Sequence, residues 1–190
     1  FLKKNIKKYN ITALIPLNDL ELPILSRNKE KLSKDSNVKI IISNQEVIEK
    51  SFDKWKTVEF LNKIGLKTPK TFKHLKSAKN ALINNEIEFP LVVKPRWGSA
   101  SINVDFVEDE YELDLIYKIQ LKRLKKTILF EASKNNVDNA ILIQEKIDGI
   151  EYGMDILNNF KGEYYGSFAR QKLSMRSGET DKAISIIDDE

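Results

Sequence analysis

Apolar positions along this chain fall into two alternating rhythms, one of short continuous runs and one of helical spacing. Ile11 to Leu17 is a short apolar run broken by Pro16. Asn18 or Asp19 then caps a predicted helix with Leu20, Ile24 and Leu25 facing inward. Val38 to Ser43 reads as a strand. Ser51 to Gly65 is the best-marked helix. Trp55, Val58, Leu61 and Ile64 recur every three residues, Asp53 puts negative charge in its first turn, and Gly65 suits the position just past its end. Thr68-Pro69 forces an extended exit. Ser77 is the predicted cap of a shorter helix carrying Ala78, Ala81 and Leu82 on one face.

The central stretch runs from Phe89 to Val104. It opens with a β-branched run ending in Lys94, and Pro95 then stops the sheet ladder because it has no N–H to donate. A turn of small residues, Gly98 to Ser101, precedes a second apolar run, Ile102 to Val107. The order strand, cation, small-residue turn, returning strand suggests a phosphate clamp, in which backbone amides wrap the oxygens beside a point charge. The same pattern also describes a plain hairpin with a surface lysine. Six acids between Asp105 and Asp114 and five bases between Lys118 and Lys126 flank one apolar face (Leu113, Ile116, Tyr117, Leu121, Leu124). That polarity suits the helix dipole and predicts a solvated amphipathic helix. Ile141 to Ile147 is a further strand ending at the turn Asp148-Gly149. Tyr152 to Leu157 and Tyr164 to Arg170 form a hairpin around residues 158–162.

With 190 residues and 41% apolar content the chain can bury a real core. Its 32 basic and 28 acidic residues nearly balance, so the net charge of +4 permits an anionic ligand without demanding nucleic acid. The absence of cysteine excludes a disulfide framework and thiolate metal sites and fits a cytoplasmic protein. No apolar run has the length of a membrane span. The chain starts at Phe1 and ends amid an apolar-acidic stretch, which reads as a fragment of a longer protein.

Several spaced signals agree in their order. Asp53-Lys54 opens a helix and Gly65 to Pro69 follows it. Then come Val-Val-Lys-Pro with its small-residue loop, Ile-Gln-Glu-Lys-Ile-Asp-Gly-Ile-Glu, and Arg-x-Lys. This combination resembles the ATP-grasp superfamily, most closely its carbamoyl-phosphate-synthase-large-subunit-like ATP-binding domains. The resemblance covers nearly the whole chain, residues 1–50 only loosely. It implies a partial ATP-grasp fold of the α/β (α+β) class. Residues 1–70 would form a Rossmann-like pre-ATP-grasp layer with its linking helix, 71–147 the small subdomain with the phosphate loop, and 148–190 the start of the second subdomain.

The resemblance also implies site roles. Lys94 and Lys54 match lysines on the phosphate side, and Gly98, Ser99, Ala100 and Ser101 match the loop that closes over the phosphates. Gln144 sits where the family has an acid or amide facing the adenine amino group. Glu145 and Ile147 follow as the hinge whose backbone groups face the base, and Glu151 matches the acceptor from ribose hydroxyls. Arg170 and Lys172 match catalytic basic residues at the triphosphate or acyl phosphate. The implied activity is that of an ATP-dependent carboxylate–amine (or thiol) ligase, with ATP and Mg2+ as cofactors.

Physical reasoning runs alongside. Phosphoryl transfer to a carboxylate concentrates negative charge, so cations and N–H donors must be placed in advance. A carboxylate such as Glu151 belongs at the sugar end, where it accepts from hydroxyls. Val92, Ile143 and Ile147 offer apolar walls for a base. Gln144 and Glu145 point to opposite faces of a strand, so only one of them can face it. Arg170 and Lys172, two apart, share a face. Arg176 and Glu179 suit either an acceptor site or a loop ion pair, Trp97 either shields the loop or packs beneath it, and His74 is a surface linker residue. Ala100 and Asn103 stand where the family commonly has glycines, which alters loop closure. The family's magnesium ligands lie downstream of the Arg-x-Lys strand, and Asp188, Asp189 and Glu190 come too early for that role. No metal ligand is therefore assigned, and this stretch alone is not expected to catalyse. Expected partners are ATP and small carboxylate and amine substrates, with neither nucleic acid nor membrane. The alternatives are a non-catalytic adenine-nucleotide module and an α/β interaction domain without a nucleotide site.

Overall fold

Parallel strands need a long crossover, and the N-terminal residues supply one. In the computed structural model, which describes residues 1–176 and 178–187, helix α1 (Leu2–Lys8) leads to β1 (Ala13–Leu14). Helix α2 (Leu22–Ser36) then crosses to β2 (Lys39–Ile40), which pairs parallel to β1. Ile6, Leu25, Leu32, Val38 and Ile40 form the small core of this layer. Asn18 caps a 3-10 turn at Asp19–Glu21 rather than α2, its side chain accepting from the Leu20 amide at 2.9 Å. Ile24 departs from expectation and is 63% exposed. One residue is about 100° of helix, so a stripe that buries Leu25 turns Ile24 outward.

The helix expected from Ser51 onward is two helices, α3 (Gln45–Phe52) and α4 (Lys54–Lys63). Asp53 breaks them apart. Its backbone is extended (φ −102°, ψ 103°) and its carboxylate accepts from the Trp55 and Lys56 amides, the geometry of a helix cap. Gly65 follows α4 with φ +80°, as the C-terminal signal predicted.

The main sheet has four antiparallel strands in the order β3-β6-β4-β5, with β3 (Thr71–Phe72), β4 (Leu91–Pro95), β5 (Asp105–Val107) and β6 (Ile141–Glu145). Helices α5 (Leu75–Ile83) and α6 (Glu110–Leu124) contribute Ala78, Ala81, Leu113 and Leu124 to a core with Leu91, Val93, Val107, Ile141 and Ile143. His74, not Ser77, occupies the cap position of α5. Ser77 lies inside the first turn, its amide donating to the His74 carbonyl. Buried Gln120 on α6 donates to the Val93 carbonyl at 2.7 Å and to Asp105 at 2.9 Å, tying helix to strand edge. A short helix α7 (Phe130–Ser133) sits between α6 and β6.

Two compact units emerge. One is Phe1–Gly98 with Asn103–Lys146; the other is Ser99–Ile102 with the chain from Ile147 onward. The second carries an antiparallel sheet β7-β8-β9, with β7 (Tyr152–Asn158), β8 (Tyr164–Arg176) and β9 (Glu179–Ile186). The sequence pattern ends β8 too early and misses β9, because Glu-Thr-Asp-Lys lacks the apolar alternation that marks a strand. Arg176 and Glu179 are cross-strand partners beside the turn of this hairpin. Gly178 there has φ +80°, and a Cβ on it would lie 2.3 Å from the Ala100 carbonyl carbon. Only glycine lets that turn meet the loop backbone so closely.

Candidate functional site

The site in the first unit is set by the register of β4 on β6. Val92 pairs with Gln144 and Lys94 with Leu142, so these four side chains share one face of the sheet. Leu91, Val93, Ile141 and Ile143 occupy the other face, in the core. The expectation that Ile143 joins Val92 as an apolar wall is therefore corrected. Ile143 is fully buried on the opposite face, and Leu142 is Val92's neighbour.

Register also decides between Gln144 and Glu145. Gln144 accepts from the Lys94 ammonium at 2.5 Å and donates to the Thr71 hydroxyl at 2.7 Å. Glu145 faces away, its carboxylate accepting from the Lys70 amide at 3.1 Å. The Glu145 amide is itself taken by the Lys70 carbonyl at 2.9 Å, so that N–H is already committed within the strand edge. Thr71 was not anticipated. Only strand pairing brings it to Gln144, 73 positions away in sequence.

Lys54 begins α4 beside this face. Its ammonium donates to the Gly98 carbonyl at 2.5 Å, at the start of the small-residue loop. Burial, then the charge of Lys94, pulls its pKa down to about 8, while Asp53 and Asp19 oppose that shift. Burial also lowers the pKa of Lys94. Among the described residues neither lysine has a carboxylate within ion-pair distance. The two half-buried cations repel each other, so keeping both charged is costly.

Asp53 and Arg96 are the pair the sequence did not announce. They make a buried two-pronged ion pair, Nε to Oδ1 and Nη2 to Oδ2, each 2.7 Å. A charged residue directly after Lys-Pro was the one available signal. Trp97 packs against the main core, bridges to Asp53 in backbone pairing and carries the Arg96 guanidinium over its ring at 4.7 Å.

The loop itself is built on left-handed backbone. Gly98 has φ +100°, and Ala100, Ser101 and Asn103 have φ of +55°, +52° and +56°. The two positions where the resemblance expects glycine both have the conformation that favours it. A Cβ at Gly98 would stand 2.5 Å from Leu129, so this glycine is also required by packing.

In the second unit, Arg170 and Lys172 share a face of β8 above Gly153, whose missing side chain leaves them room. Lys172 donates to the Glu151 carboxylate at 2.5 Å, and Arg170 pairs with Asp155. Glu151 is thus ion-paired to one of the basic residues expected at the other end of a nucleotide. Ile147 is 62% exposed. Among the described residues no group of three or more His, Asp or Glu side chains is arranged to hold a metal ion. Asp188, Asp189 and Glu190 lie outside the described residues. No described helix is long and apolar enough to cross a membrane.

Comparison with known proteins gives the site its context. The chain is 27% identical over 157 residues to a carbamoyl-phosphate synthase of Methanobrevibacter smithii, covering 82% of this chain and 37% of that protein. It is 31% identical over 134 residues to a coenzyme gamma-F420-2:alpha-L-glutamate ligase of Methanococcus maripaludis, covering 68% of this chain and 41% of that one. The chain thus spans well under half the length of these relatives. Among solved structures, the biotin carboxylase domain of Hydrogenobacter thermophilus 2-oxoglutarate carboxylase, determined with MgADP, ADP and bicarbonate, superposes with a TM-score of 0.64. That match has 19% identity and covers 94% of this chain and 38% of that one, a likeness of fold. The family model for the ATP-grasp domain matches residues 51–184, from the end of α3 into β9, and the chain belongs to the ATP-grasp family.

Proposed function

We propose that this chain is the ATP-binding part of an ATP-dependent carboxylate–amine (or thiol) ligase, carbamoyl-phosphate-synthase-like, in which a carboxylate is activated as an acyl phosphate. The observation that carries the reading is the pair Lys54 and Lys94. Both are half-buried and near enough to repel, and Lys54 donates to the carbonyl of Gly98, a residue of left-handed backbone. Such a pair is costly in the free protein and is offset when an oxyanion arrives.

In this reading Lys94 and Lys54 meet the phosphates, and the amides and hydroxyls of Gly98 to Ser101 wrap them. Val92 flanks the base, and Gln144, on its face, reads the adenine amino group. Glu145 contributes its carbonyl and Ile147 its backbone at the hinge, Glu151 takes the ribose hydroxyls, and Arg170 and Lys172 attend the transferring phosphoryl group. Lys172 and Glu151 would have to part, or share the ligand, when nucleotide binds. Mg2+ in such enzymes neutralises the charge between phosphates, and among the described residues no cluster of three or more His, Asp or Glu side chains is arranged to hold it. The parent's acceptor and carboxylate are small molecules, and its setting is the cytoplasm.

The test is a thermal-shift titration with ADP and ATP, with GTP and Lys94→Ala as controls. A ligand at a hundredfold over its dissociation constant adds about 2.7 kcal/mol, a rise of several degrees for a chain of this size. An adenine-selective rise that Lys94→Ala abolishes supports the site. No rise at millimolar nucleotide, here and in a longer form of the protein, sinks it. A second reading, a nucleotide module that does not turn over, is favoured by the non-glycine left-handed residues Ala100 and Asn103 in the loop. Turnover by the longer protein discriminates between the two.

A further inference from the structure

We propose that Asp53 and Arg96 are positioning residues for the nucleotide site, a buried latch that sets Lys54 and the first residues of the phosphate loop in one fixed relation. This inference rests on the nucleotide reading above and adds to it a device in residues that touch no ligand. Asp53 and Arg96 are only 5% and 8% exposed, and they join positions 43 apart. Each is covalently next to a working part. Asp53 precedes Lys54, and Arg96 lies two residues before Gly98.

Several hydrogen bonds meet at this junction. The Asp53 carboxylate receives both guanidinium prongs and caps α4 through the Trp55 and Lys56 amides. The Lys54 amide donates to the Arg96 carbonyl at 3.2 Å, and Asp53 bridges to Trp97. The Lys54 ammonium then reaches the Gly98 carbonyl. A planar two-pronged bond fixes orientation as well as distance, which a single lysine contact does not. A buried ion pair gains little stability over an apolar pair of equal volume, so stability alone does not account for charges in this place. The Asp53 charge also acts on Lys54 directly, holding its proton against burial and Lys94, with Asp19 assisting.

ADP affinity of this chain, measured by calorimetry from pH 6.5 to 9.5, tests the latch. The wild type should lose affinity above about pH 8, where Lys54 gives up its proton. Asp53→Asn keeps the helix cap and removes the charge, and should move this limb to lower pH. Arg96→Lys keeps both charges and loses the fork. It should weaken ADP at least tenfold while leaving the limb where it is. The double variant Asp53→Asn with Arg96→Met removes both charges together, and should fold with wild-type helicity yet bind ADP at least tenfold more weakly. Wild-type affinity and an unmoved limb in the folded variants would show a merely structural pair and overturn the proposal. Should the double variant not fold, wild-type affinity in Arg96→Lys alone overturns it. Absence of ADP binding by the wild type would instead overturn the nucleotide reading, and this inference with it.

Discussion

Ala100 carries a side chain in a backbone conformation, φ +55°, that costs an L-residue about 1–2 kcal/mol relative to glycine. Ala100→Gly should therefore raise the melting temperature by about 2–4 °C for each kcal/mol relieved, even though glycine gains entropy when unfolded. A lower melting point would mean that the methyl makes a contact worth more than the strain. Lys54 presents the opposite balance, a buried charge kept at a stability cost. Its pKa is lowered to about 8 in the fold, first by burial and then by Lys94. The unfolded lysine, at its ordinary value of 10.5, binds more protons between those two values. Wild-type stability should then rise with pH through that window. Lys54→Met should stabilise the chain at pH 7 by on the order of 1–3 kcal/mol and abolish the ADP-induced shift. Its stability advantage should shrink from pH 8 to 10. Chemical denaturation at three pH values measures the sign, and an advantage that grows with pH would refute the assignment.

Single elements act here through what they pack against. α6 lies on the sheet with Leu113 fully buried against the strands, so Leu113→Ala should cost about 2–5 kcal/mol. Denaturant unfolding monitored by circular dichroism checks this, and a loss below about 1 kcal/mol would mean that α6 is not held by that face. β4 and β6 show how much depends on pairing. The pattern of each strand said that neighbouring side chains alternate, but not which of the two sets is the core set. The α3–α4 break is a similar case. Periodicity ran through Asp53, and only the carboxylate's capping of the Trp55 and Lys56 amides, fixed from behind by Arg96, ended one helix and began another.

At the scale of the whole molecule, burial is concentrated in one of the two units. Among the described residues all the buried apolar ones lie in Phe1–Gly98 with Asn103–Lys146, whereas the strands β7, β8 and β9 leave Tyr152, Met154, Ile156, Phe168 and Ile184 more than half exposed. Opening free energy follows buried contacts. Hydrogen exchange should therefore be slowest at Leu91, Val93, Ile141 and Ile143 and faster by orders of magnitude along β7–β9. Equal protection in both sheets would contradict this.

The sequence by itself determined the elements that repeat a local period. The strands that carry Lys94 and Gln144, the amphipathic helix behind them, the helix-ending signal at Gly65, and the order of motifs that marks an ATP-grasp chain are all written within a few residues of one another. Tertiary structure decided what distance in sequence hides. It set Gln144 rather than Glu145 beside Lys94, sent Ile143 into the core, paired β9 with β8 despite its polar start, and joined Asp53 to Arg96. The physical reason is that a period is a property of one segment, whereas register and ion pairing are properties of two. Two segments select each other only when the apolar faces of both are buried together.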